Sequence, residues 1–364
     1  MDVLITGSKG FIGSNLKYFL KLNTSFNILE HNRSDTEQIL KKKINRSNII
    51  FHFGGENRSK KKENFLKNNY RLSKIIAENA LPKSLIIYSS TLKVNENSIY
   101  GKTKKRAEGV LKKFYKKKKY KLSILRLPNI FGKWGRPNHN SVVATFCYNS
   151  SRNIKSNVNN PEQTLKLLYI DDLILQIMKI LKRRKNILYP EIKTIYKIKL
   201  KNLYQKISSL NQNRLQLNTD IISSPLDKKI YSTYLTYMPE KKYVLKYKKN
   251  EDKRGNFSEL LKSKKNGQVS YFSINPGKTR GNHFHFTKVE KFFPIYGKGK
   301  IVYKNINNSK KKSYNFNFKN PQIFEAIPGW SHKFVNNTKS EAIFIVWANE
   351  TFDKKNPDTY YHKI

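Results

Sequence analysis

The pattern of apolar residues changes once along this 364-residue chain, near residue 245. Before that point, short apolar runs such as Val3–Thr6 and Leu85–Tyr88 alternate with helical segments such as Lys102–Phe114, which indicates a parallel α/β sheet. After it, short alternating strands are separated by turn signals such as Asn275-Pro276-Gly277, which indicates an all-β barrel or jelly roll. Since the chain is long enough for two domains, we predict an α/β domain at residues 1–245 and a β domain at 246–364.

A glycine-rich segment joins the first predicted strand to the first predicted helix. It reads Thr6-Gly7-Ser8-Lys9-Gly10-Phe11-Ile12-Gly13. Glycines permit a tight turn and let the backbone approach a pyrophosphate, to which the helix N-terminus offers free N–H groups and a positive dipole end. Another strand ends in His52-Phe53-Gly54-Gly55, which also suits a close approach to a cofactor. The alternative is a plain turn, but the position between strand and helix favours a dinucleotide site.

The residues after the second strand bear on which nicotinamide cofactor is used. An acidic residue there would contact the ribose of NAD, whereas a cation suits the 2′-phosphate of NADP. Arg33, helped by Lys9 in the glycine loop, points to NADPH, and Glu30 keeps NADH as the second choice. The alternative is that Arg33 is an ordinary surface residue with no role in cofactor binding.

A hydroxyl cluster and a tyrosine–lysine pair suggest reductase chemistry. Ser89-Ser90-Thr91 ends a strand, and Tyr100 and Lys104 lie at i and i+4 on one face of the following helix. The Lys104 ammonium is expected to lower the pKa of Tyr100, which then gives a proton to a substrate oxygen as hydride reaches the carbonyl carbon. We predict that a hydroxyl of the Ser89-Ser90-Thr91 run holds that oxygen.

These motifs together are similar to those of the extended short-chain dehydrogenase/reductase superfamily, which has a Rossmann-type sheet. The resemblance implies a catalytic set of Thr91, Tyr100 and Lys104, with Ser90 as the fallback for the hydroxyl. It also implies that Arg126–Gly132 borders the nicotinamide and begins the sugar site. The cofactor-binding residues it implies are Gly7, Lys9, Gly10, Phe11, Ile12, Gly13, Arg33, Phe53, Gly54, Gly55, Tyr100, Lys104 and Pro128.

The continuation from Lys133 to Cys147 resembles a narrower family, the CapF-type UDP-sugar reductases of capsule and O-antigen synthesis. This stretch offers cations and amides for a diphosphate, and it also reads as a loop followed by a core helix. With the cupin segments around Thr279–His283 and Asn356–Tyr360, the resemblance covers nearly the whole chain. It implies substrate-binding roles for Asn129, Lys133, Arg136, Asn138, His139 and Arg280.

The predicted β domain carries two spacings that closely match the motifs of cupins. Gly277 is followed by His283, His285, Glu290 and Gly297, and Pro328-Gly329 precedes His332. Strand alternation places His283 and His285 on one face, and Glu290 and His332 complete a set of three imidazoles and one carboxylate. The set suits a divalent metal, with zinc preferred and Mn, Fe or Ni left open by the spacing. The alternative is a chance histidine pair that binds no metal.

The resemblance implies two reactions on a UDP-2-acetamido-2,6-dideoxy-hexos-4-ulose. The cupin would epimerise C3, with His283, His285 or Lys288 as the base, and the reductase would then reduce C4 to a UDP-N-acetyl-L-talosamine-type product, in a homodimer. A dTDP- or GDP-linked sugar remains open. The rivals from other classes are a non-catalytic NADP-binding protein and a nucleic-acid-binding protein.

Composition bears on location and on these rivals. The net charge of +48 and the pI near 10.1 normally suggest a polyanionic partner. The lysines are however scattered among Asn, Ile, Tyr and Phe, as an A/T-rich genome would produce, so we expect no nucleic-acid or membrane partner. The single cysteine, Cys147, fits a reducing compartment, and no apolar run approaches the length of a membrane helix. We therefore expect a cytoplasmic protein.

Overall fold

The computed structural model describes residues 1–182 and 186–364. They form two compact units. The N-terminal unit contains Met1–Ser208 and Pro225–Pro239, and the C-terminal unit contains Ser209–Ser224 and Glu240–Ile364. None of the helices in these ranges is long and apolar enough to cross a lipid bilayer.

The N-terminal unit is built on eight strands. They are β1 (Asp2–Thr6), β2 (Asn27–His31), β3 (Ile49–His52), β4 (Leu85–Thr91), β5 (Lys121–Leu127), β6 (Asn129–Phe131), β7 (Thr164–Tyr169) and β8 (Tyr196–Lys199). The first five form a parallel sheet in the order β2-β1-β3-β4-β5. The other three form a small sheet, in which β6 and β7 are parallel and β7 and β8 antiparallel.

Helices cover both faces of the parallel sheet. The helices within the described ranges are α1 (Phe11–Asn23), α2 (Glu37–Ile44), α3 (Lys62–Phe65), α4 (Leu72–Asn79), α5 (Ile99–Lys118), α6 (Val142–Ser151), α7 (Ile170–Lys182), α8 (Leu200–Leu215) and α9 (Pro225–Leu235). Between α3 and α4 the chain makes a π-helical turn, Leu66–Arg71. One apolar cluster includes Leu16 of α1 and Leu173 of α7, and a second includes Ile76 of α4 and Leu111 of α5. Because both faces are covered, the central strand β3 is buried along its whole length, Ile49–His52.

The strand order reverses between β1 and β3. The chain passes from β1 to β2 on one side and then returns to β3 on the other. In an open parallel sheet, ligands bind outside the carboxyl ends of the strands at such a reversal. Gly7 follows β1, and Gly54 and Gly55 follow β3, so the predicted glycine motifs lie at this position.

The C-terminal unit consists of two antiparallel sheets. Its strands are β9 (Asn250–Asp252), β10 (Gly255–Ser263), β11 (Gly267–Ile274), β12 (Thr279–Phe284), β13 (Glu290–Tyr296), β14 (Lys298–Asn305), β15 (Lys311–Asn317), β16 (Phe324–Ala326), β17 (Trp330–Val335), β18 (Ala342–Ala348) and β19 (Tyr360–Tyr361). The sheet orders are β16-β13-β18-β11-β10-β9 and β15-β14-β17-β12-β19. Phe272, Phe334 and Phe344 are among the buried aromatic residues of its core.

The predicted fold class, a Rossmann-type parallel sheet followed by an all-β jelly roll, is confirmed. The C-terminal unit begins its sheet early, since β9 pairs with β10, which begins at Gly255. Ser209–Ser224 packs with the C-terminal unit, where the Asp220 carboxylate accepts hydrogen bonds from Ser263 Oγ at 2.6 Å and Lys264 N at 2.9 Å. The sequence carries no recognisable signal that Ser209–Ser224 belongs to the C-terminal unit whereas Pro225–Pro239 belongs to the N-terminal unit.

Candidate functional site

The glycine loop after β1 is packed against the glycines after β3 by direct backbone contact. Gly7 has φ +70°, and a Cβ atom there would lie 2.8 Å from Gly54 Cα. A Cβ at Gly13 would lie 2.2 Å from the Gly7 carbonyl oxygen. Any side chain at either position would therefore separate β1, β3 and α1. The N-cap of α1, Gly10, makes no side-chain capping bond, and the first turn has no acidic residue, so the amide N–H groups can bind an anion.

A cavity of about 1070 Å³ opens beside this loop. Of the predicted cofactor-binding residues, those that line it are Gly7, Lys9, Gly10, Arg33, Phe53, Gly54 and Gly55. Phe11, Ile12, Gly13, Pro128, Tyr100 and Lys104 are not part of its lining. The cavity is long enough, with the open α1 terminus at one side, to hold the adenosine and pyrophosphate of a dinucleotide.

The lining of this cavity is basic. Its cations are Lys9, Arg33, Lys67, Arg71 and Arg136, against the carboxylates of Asp35 and Glu37. Glu30, the acidic alternative, does not line the cavity, and its carboxylate lies 3.1 Å from Lys17 Nζ. Arg33 is largely exposed and lies 3.0 Å from Glu56 Oε2.

Thr91, Tyr100 and Lys104 come together where β4 ends and α5 begins. The helix is capped by Ser98, whose Oγ accepts the Gly101 N–H at 3.0 Å. Tyr100 shares a side-chain hydrogen bond with Thr91. Lys104 is buried, its Nζ donates to the Ser89 carbonyl at 2.9 Å, and it lies 4.8 Å from the centre of the Tyr88 ring.

The expected effect of Lys104 on Tyr100 is not what the structure shows. Burial raises the pKa of Tyr100, and the hydrogen bond with Thr91 offsets this only in part. Burial also lowers the pKa of Lys104 to about 8, despite the opposing charge of Glu108. The physical reason is that the Lys104 ammonium bonds to Ser89 and lies over Tyr88. Tyr100 is therefore protonated at neutral pH, as a proton donor must be.

The structure separates the two hydroxyl candidates. Ser90 Oγ donates to Glu108 Oε1 at 2.6 Å. Glu108 is buried and also accepts from Arg126 Nε at 3.1 Å and Nη2 at 2.7 Å. Ser90 is thus committed to a buried ion pair, whereas Thr91 is bonded to Tyr100. Thr91 is the better placed hydroxyl.

Asn69, in the π-helical turn, is a site residue that the sequence did not reveal. Its Oδ1 accepts from Glu56 N at 2.8 Å, and its Nδ2 donates to Glu56 O at 2.9 Å and Thr103 Oγ1 at 3.1 Å. A Cβ at Gly55 would lie 2.7 Å from Asn69 Oδ1 and 3.3 Å from Lys104 Nζ. Asn69 therefore joins the glycine pair after β3 to the helix that carries Lys104. An asparagine in a helical pattern gives no sign of this, because a π-turn is not encoded by hydrophobic spacing.

His52 completes a buried hydrogen-bond chain beneath the cavity. Ser73 Oγ donates to Asn69 O at 2.6 Å and therefore accepts from His52 Nε2–H at 2.8 Å. His52 Nδ1 then accepts from Thr6 Oγ1 at 2.9 Å, and Thr6 Oγ1 accepts the Gly54 N–H at 3.0 Å. Burial and the Lys104 charge hold the pKa of His52 well below its usual range, so the ring is neutral. The chain ties β1 and β3 to α4.

The structure places the predicted substrate-binding residues in different surroundings. Arg136 lines the cavity, and Asn129 is exposed at the start of β6. Lys133 is ion-paired with Asp171. The carbonyls of Asn138 and His139 face Arg58 Nη1, at 3.5 and 2.6 Å. Arg280 belongs to the C-terminal unit, where its Nη2 lies 3.4 Å from Asp252 Oδ1. Arg58 had not been predicted, since an exposed arginine in a loop resembles any other.

His283, His285, Glu290 and His332 converge in the C-terminal unit. One ligand atom from each lies within 4.8 Å of the others. Burial lowers the pKa of His283 to about 4 and that of His332 to about 3, so both imidazoles are neutral at pH 7. Burial acts to raise the pKa of Glu290, but the hydrogen bond with His285 and nearby positive charge dominate and lower it to about 2. Neutral imidazoles and an ionised carboxylate are the ligand forms that a divalent cation requires.

The tautomer of His285 supports the same conclusion. Its Nδ1–H donates to the Asp358 carbonyl at 2.6 Å, which leaves Nε2 to face a further partner. Nε2 lies 3.2 Å from Glu290 Oε2. An imidazole nitrogen and a carboxylate oxygen at this distance need a proton or a cation between them. The donor set therefore fits a bound divalent metal.

Comparison with known proteins covers both units. Residues 3–197 match the NAD dependent epimerase/dehydratase family, and residues 250–360 match the polysaccharide biosynthesis C-terminal domain. A UDP-2-acetamido-2,6-beta-L-arabino-hexul-4-ose reductase from Pseudomonas aeruginosa is 35% identical over 367 residues, covering 99% of this chain and 98% of that protein.

Solved structures agree with these family and sequence matches. The capsular polysaccharide assembling protein CapF from Staphylococcus aureus is 32% identical, with a TM-score of 0.91 over 100% of both chains. UDP-glucuronic acid 4-epimerase from Bacillus cereus, in complex with NAD, matches 65% of this chain and 98% of its own with 16% identity and a TM-score of 0.55. The second likeness concerns the fold alone.

We expect the C-terminal unit to bind one zinc ion per chain, and Glu290→Gln to weaken that binding by about 100-fold or more, because it removes a charged ligand. Chelator-treated protein would be titrated with zinc in competition with a chromophoric chelator. His139→Ala, a histidine outside the cluster, is the matched control and should bind zinc as the parent does. Equal zinc affinity in the parent and in Glu290→Gln would rule out this cluster as the metal site.

Proposed function

This chain belongs to the NAD dependent epimerase/dehydratase family, with a polysaccharide biosynthesis C-terminal domain as in the CapF branch, and we propose that it is a bifunctional nucleotide-sugar enzyme. In this proposal it epimerises C3 and then reduces C4 of a UDP-2-acetamido-2,6-dideoxy-hexos-4-ulose. The observation that carries the proposal is the occurrence, in one chain, of the Thr91–Tyr100–Lys104 group and the four-ligand cluster. The names of the relatives support the substrate class.

The reduction is assigned to the N-terminal unit. NADPH, when bound, would supply the hydride for C4, and the N–H groups of Lys104 that Ser89 does not use would hold its ribose. The Tyr100 hydroxyl gives its proton to the C4 oxygen, Thr91 holds that oxygen by a hydrogen bond, and the Lys104 ammonium stabilises the resulting phenolate. The cations Lys9 and Arg33 favour NADPH over NADH, because they line the cavity and Glu30 does not.

The epimerisation is assigned to the C-terminal unit. The 4-keto group acidifies the C3–H bond, so a base can remove that proton and a proton can return on the opposite face. Both histidine candidates belong to the ligand cluster, which leaves Lys288, a buried residue with Nζ 4.0 Å from Glu290 Oε1. A divalent cation held by the cluster would stabilise the enolate oxygen, and Arg280 is the second candidate for that task.

Several finer points belong to the proposal. The product is a UDP-N-acetyl-L-talosamine-type sugar for capsule or O-antigen polysaccharide, made in the cytoplasm by a homodimer. Zinc is the preferred metal. A dTDP- or GDP-linked 4-keto sugar is the alternative substrate. A non-catalytic NADP-binding or nucleic-acid-binding protein is disfavoured, since neither would need the proton donor Tyr100.

The first test is NADPH oxidation by the purified protein. It is supplied with the 4-keto sugar freshly made from UDP-N-acetylglucosamine by an inverting 4,6-dehydratase. We expect rapid loss of nicotinamide absorbance, a new 6-deoxy product, and a fall in kcat of about 10²–10⁴-fold in Tyr100→Phe, which lacks the donated proton. Tyr115→Phe, on the same helix, is the control with parental kcat. Near-parental turnover by Tyr100→Phe would show that the proton comes from elsewhere.

The choice of cofactor is tested at Arg33. In Arg33→Ser, we expect KM for NADPH to rise about 10–100-fold, because a charge-assisted contact of about 1.5–3 kcal/mol with the 2′-phosphate is lost. KM for NADH should not change. Arg46→Ser, an exposed arginine paired with Asp2, should leave both constants as they are. Equal losses with the two cofactors would contradict a role for Arg33 in 2′-phosphate binding.

The pH dependence of the reductase follows from Lys104. Its pKa of about 8 means that the ammonium is present below pH 8 and is lost above it. Deprotonation removes a donor to the ribose and the charge that stabilises the phenolate, so kcat/KM should fall tenfold per pH unit above about 8. Initial rates of NADPH oxidation between pH 6 and 10.5 would show this. A decrease in kcat/KM that begins only above pH 10 would instead be assigned to deprotonation of Tyr100, whose pKa is raised.

A further inference from the structure

The carboxylate of Asp358 organises the loop that follows the metal-ligand candidate His285. It accepts from the backbone N–H groups of Phe286 at 3.0 Å, Thr287 at 2.9 Å and Lys288 at 2.7 Å, and from Thr287 Oγ1 at 2.9 Å. These donors lie in the short loop between His285 and Glu290. One carboxylate seventy residues away thus fixes the path between two candidate ligands.

The main chain of Asp358 contacts His285 itself. Its carbonyl accepts the Nδ1–H at 2.6 Å, which orients the ring and directs Nε2 toward Glu290. Asp358 has φ +34°, in the left-handed region that non-glycine residues seldom adopt. That conformation lets the carbonyl and the carboxylate of a single residue face the same loop. Strain of this kind persists only where the surroundings enforce it.

The neighbouring residues hold the proposed base. Lys288 Nζ donates to Thr359 Oγ1 at 2.7 Å and to the Pro357 carbonyl at 3.2 Å. Thr359 Oγ1 also lies 3.5 Å from His285 Nδ1, but the much shorter contact of that nitrogen is with Asp358. The side-chain contacts are therefore divided, with Asp358 at the His285 ring and Thr359 at the Lys288 ammonium, while the Asp358 carboxylate holds only the backbone of Lys288.

The segment that carries these residues is anchored as an added strand. β19 pairs with β12, and Tyr361 lies opposite His283. Beyond it, His362 N donates to Asn282 O at 2.8 Å, and Lys333 Nζ donates to Ile364 O at 2.8 Å. Residues 357–364 are thus attached to the strand that bears His283, and to β17, which bears His332.

We propose that Asp358 and Thr359 are positioning residues of the C-terminal site, where Asp358 orients His285 for a divalent cation and Thr359 holds Lys288 against C3 of the substrate. The proposal deepens the proposed function and rests on it. It accounts for the divided contacts, for the strained backbone at Asp358 and for the burial of Lys288. If Asp358 and Thr359 only stabilised the fold, one would not be expected to contact the His285 ring and the other the Lys288 ammonium.

The test compares Asp358→Ala, Thr359→Val and the control Asp353→Ala. Asp353 lies in the same segment and caps only its own turn, at Lys355 N. For each protein we would measure zinc affinity by chelator competition, C3 deuterium exchange into the 4-keto sugar in heavy water, NADPH oxidation, and the melting temperature of the zinc-free protein.

Asp358→Ala should lose about 10–100-fold in zinc affinity, because it removes the carboxylate that fixes the loop between His285 and Glu290 and so loosens the main-chain carbonyl that orients the His285 ring. Thr359→Val should keep parental zinc affinity and lose about 10-fold or more in the rate of C3 exchange, because one partner of Lys288 is missing. Asp353→Ala should change neither. If zinc-free Asp358→Ala shows no cooperative melting, Asp358→Asn, which keeps the shape and one acceptor oxygen, replaces it and should lose about 3–10-fold in affinity.

Parental zinc affinity in the Asp358 variants would overturn the first assignment. Parental exchange in Thr359→Val, or a loss of zinc affinity equal to that of Asp358→Ala, would overturn the second. Failure of the proposed function looks different. The unsubstituted protein would then bind zinc and oxidise NADPH without exchanging C3 deuterium, and the Asp358 assignment would stand on the zinc measurement alone.

Discussion

The N-terminal unit depends on one backbone contact, that between Gly7 after β1 and Gly54 after β3. Because a Cβ at Gly7 would be 2.8 Å from Gly54 Cα, the carboxyl ends of the two strands can meet only as long as Gly7 lacks a side chain. Beneath the contact, the Gly54 N–H, Thr6 and the neutral His52 form the hydrogen-bond chain that continues to α4. The cavity beside the loop follows from this closure, since its walls are the residues that come directly after β1, β2 and β3.

Asn69 connects the contact between Gly7 and Gly54 to the residues of the proposed chemistry. Its side chain binds Glu56, next to Gly55, and also Thr103, next to Lys104. Lys104 is thereby held between the nucleotide cavity and Tyr100. The ion pair of Glu108 with Arg126 holds Ser90 at the end of β4, so that the next residue, Thr91, faces Tyr100. Lys104 and Thr91 thus each lie close to a buried polar side chain, Asn69 or Glu108, that makes several hydrogen bonds of its own.

Sequence reasoning correctly predicted which residues lie together where their spacing falls within one element or between adjacent elements. The glycine loop, Tyr100 with Lys104, and His283 with His285 are of this kind, and the order of strands and helices was predicted for the same reason. It failed where a single residue acts over a long separation. Asn69 depends on a π-helical turn, and Asp358 acts on a loop far earlier in the chain. The pKa of Tyr100 was also wrong in direction, because burial, which no motif encodes, outweighs the nearby ammonium.

The two lysines of the proposed chemistry are held in the same way. Lys104 donates to the Ser89 carbonyl and Lys288 to the Pro357 carbonyl, and both side chains are buried. A carbonyl takes one of the three N–H groups of an ammonium and fixes its direction, which leaves two at Lys104. At Lys288 the Thr359 Oγ1 atom accepts a second N–H, which leaves one. At Lys104 the cost of burial lowers the pKa to about 8, so the charge is kept at neutral pH but with little margin. Each lysine also has a carboxylate near its charge, Glu108 for Lys104 and Glu290, at 4.0 Å, for Lys288. A main-chain carbonyl therefore sets the direction of each side chain, and a nearby carboxylate balances its charge.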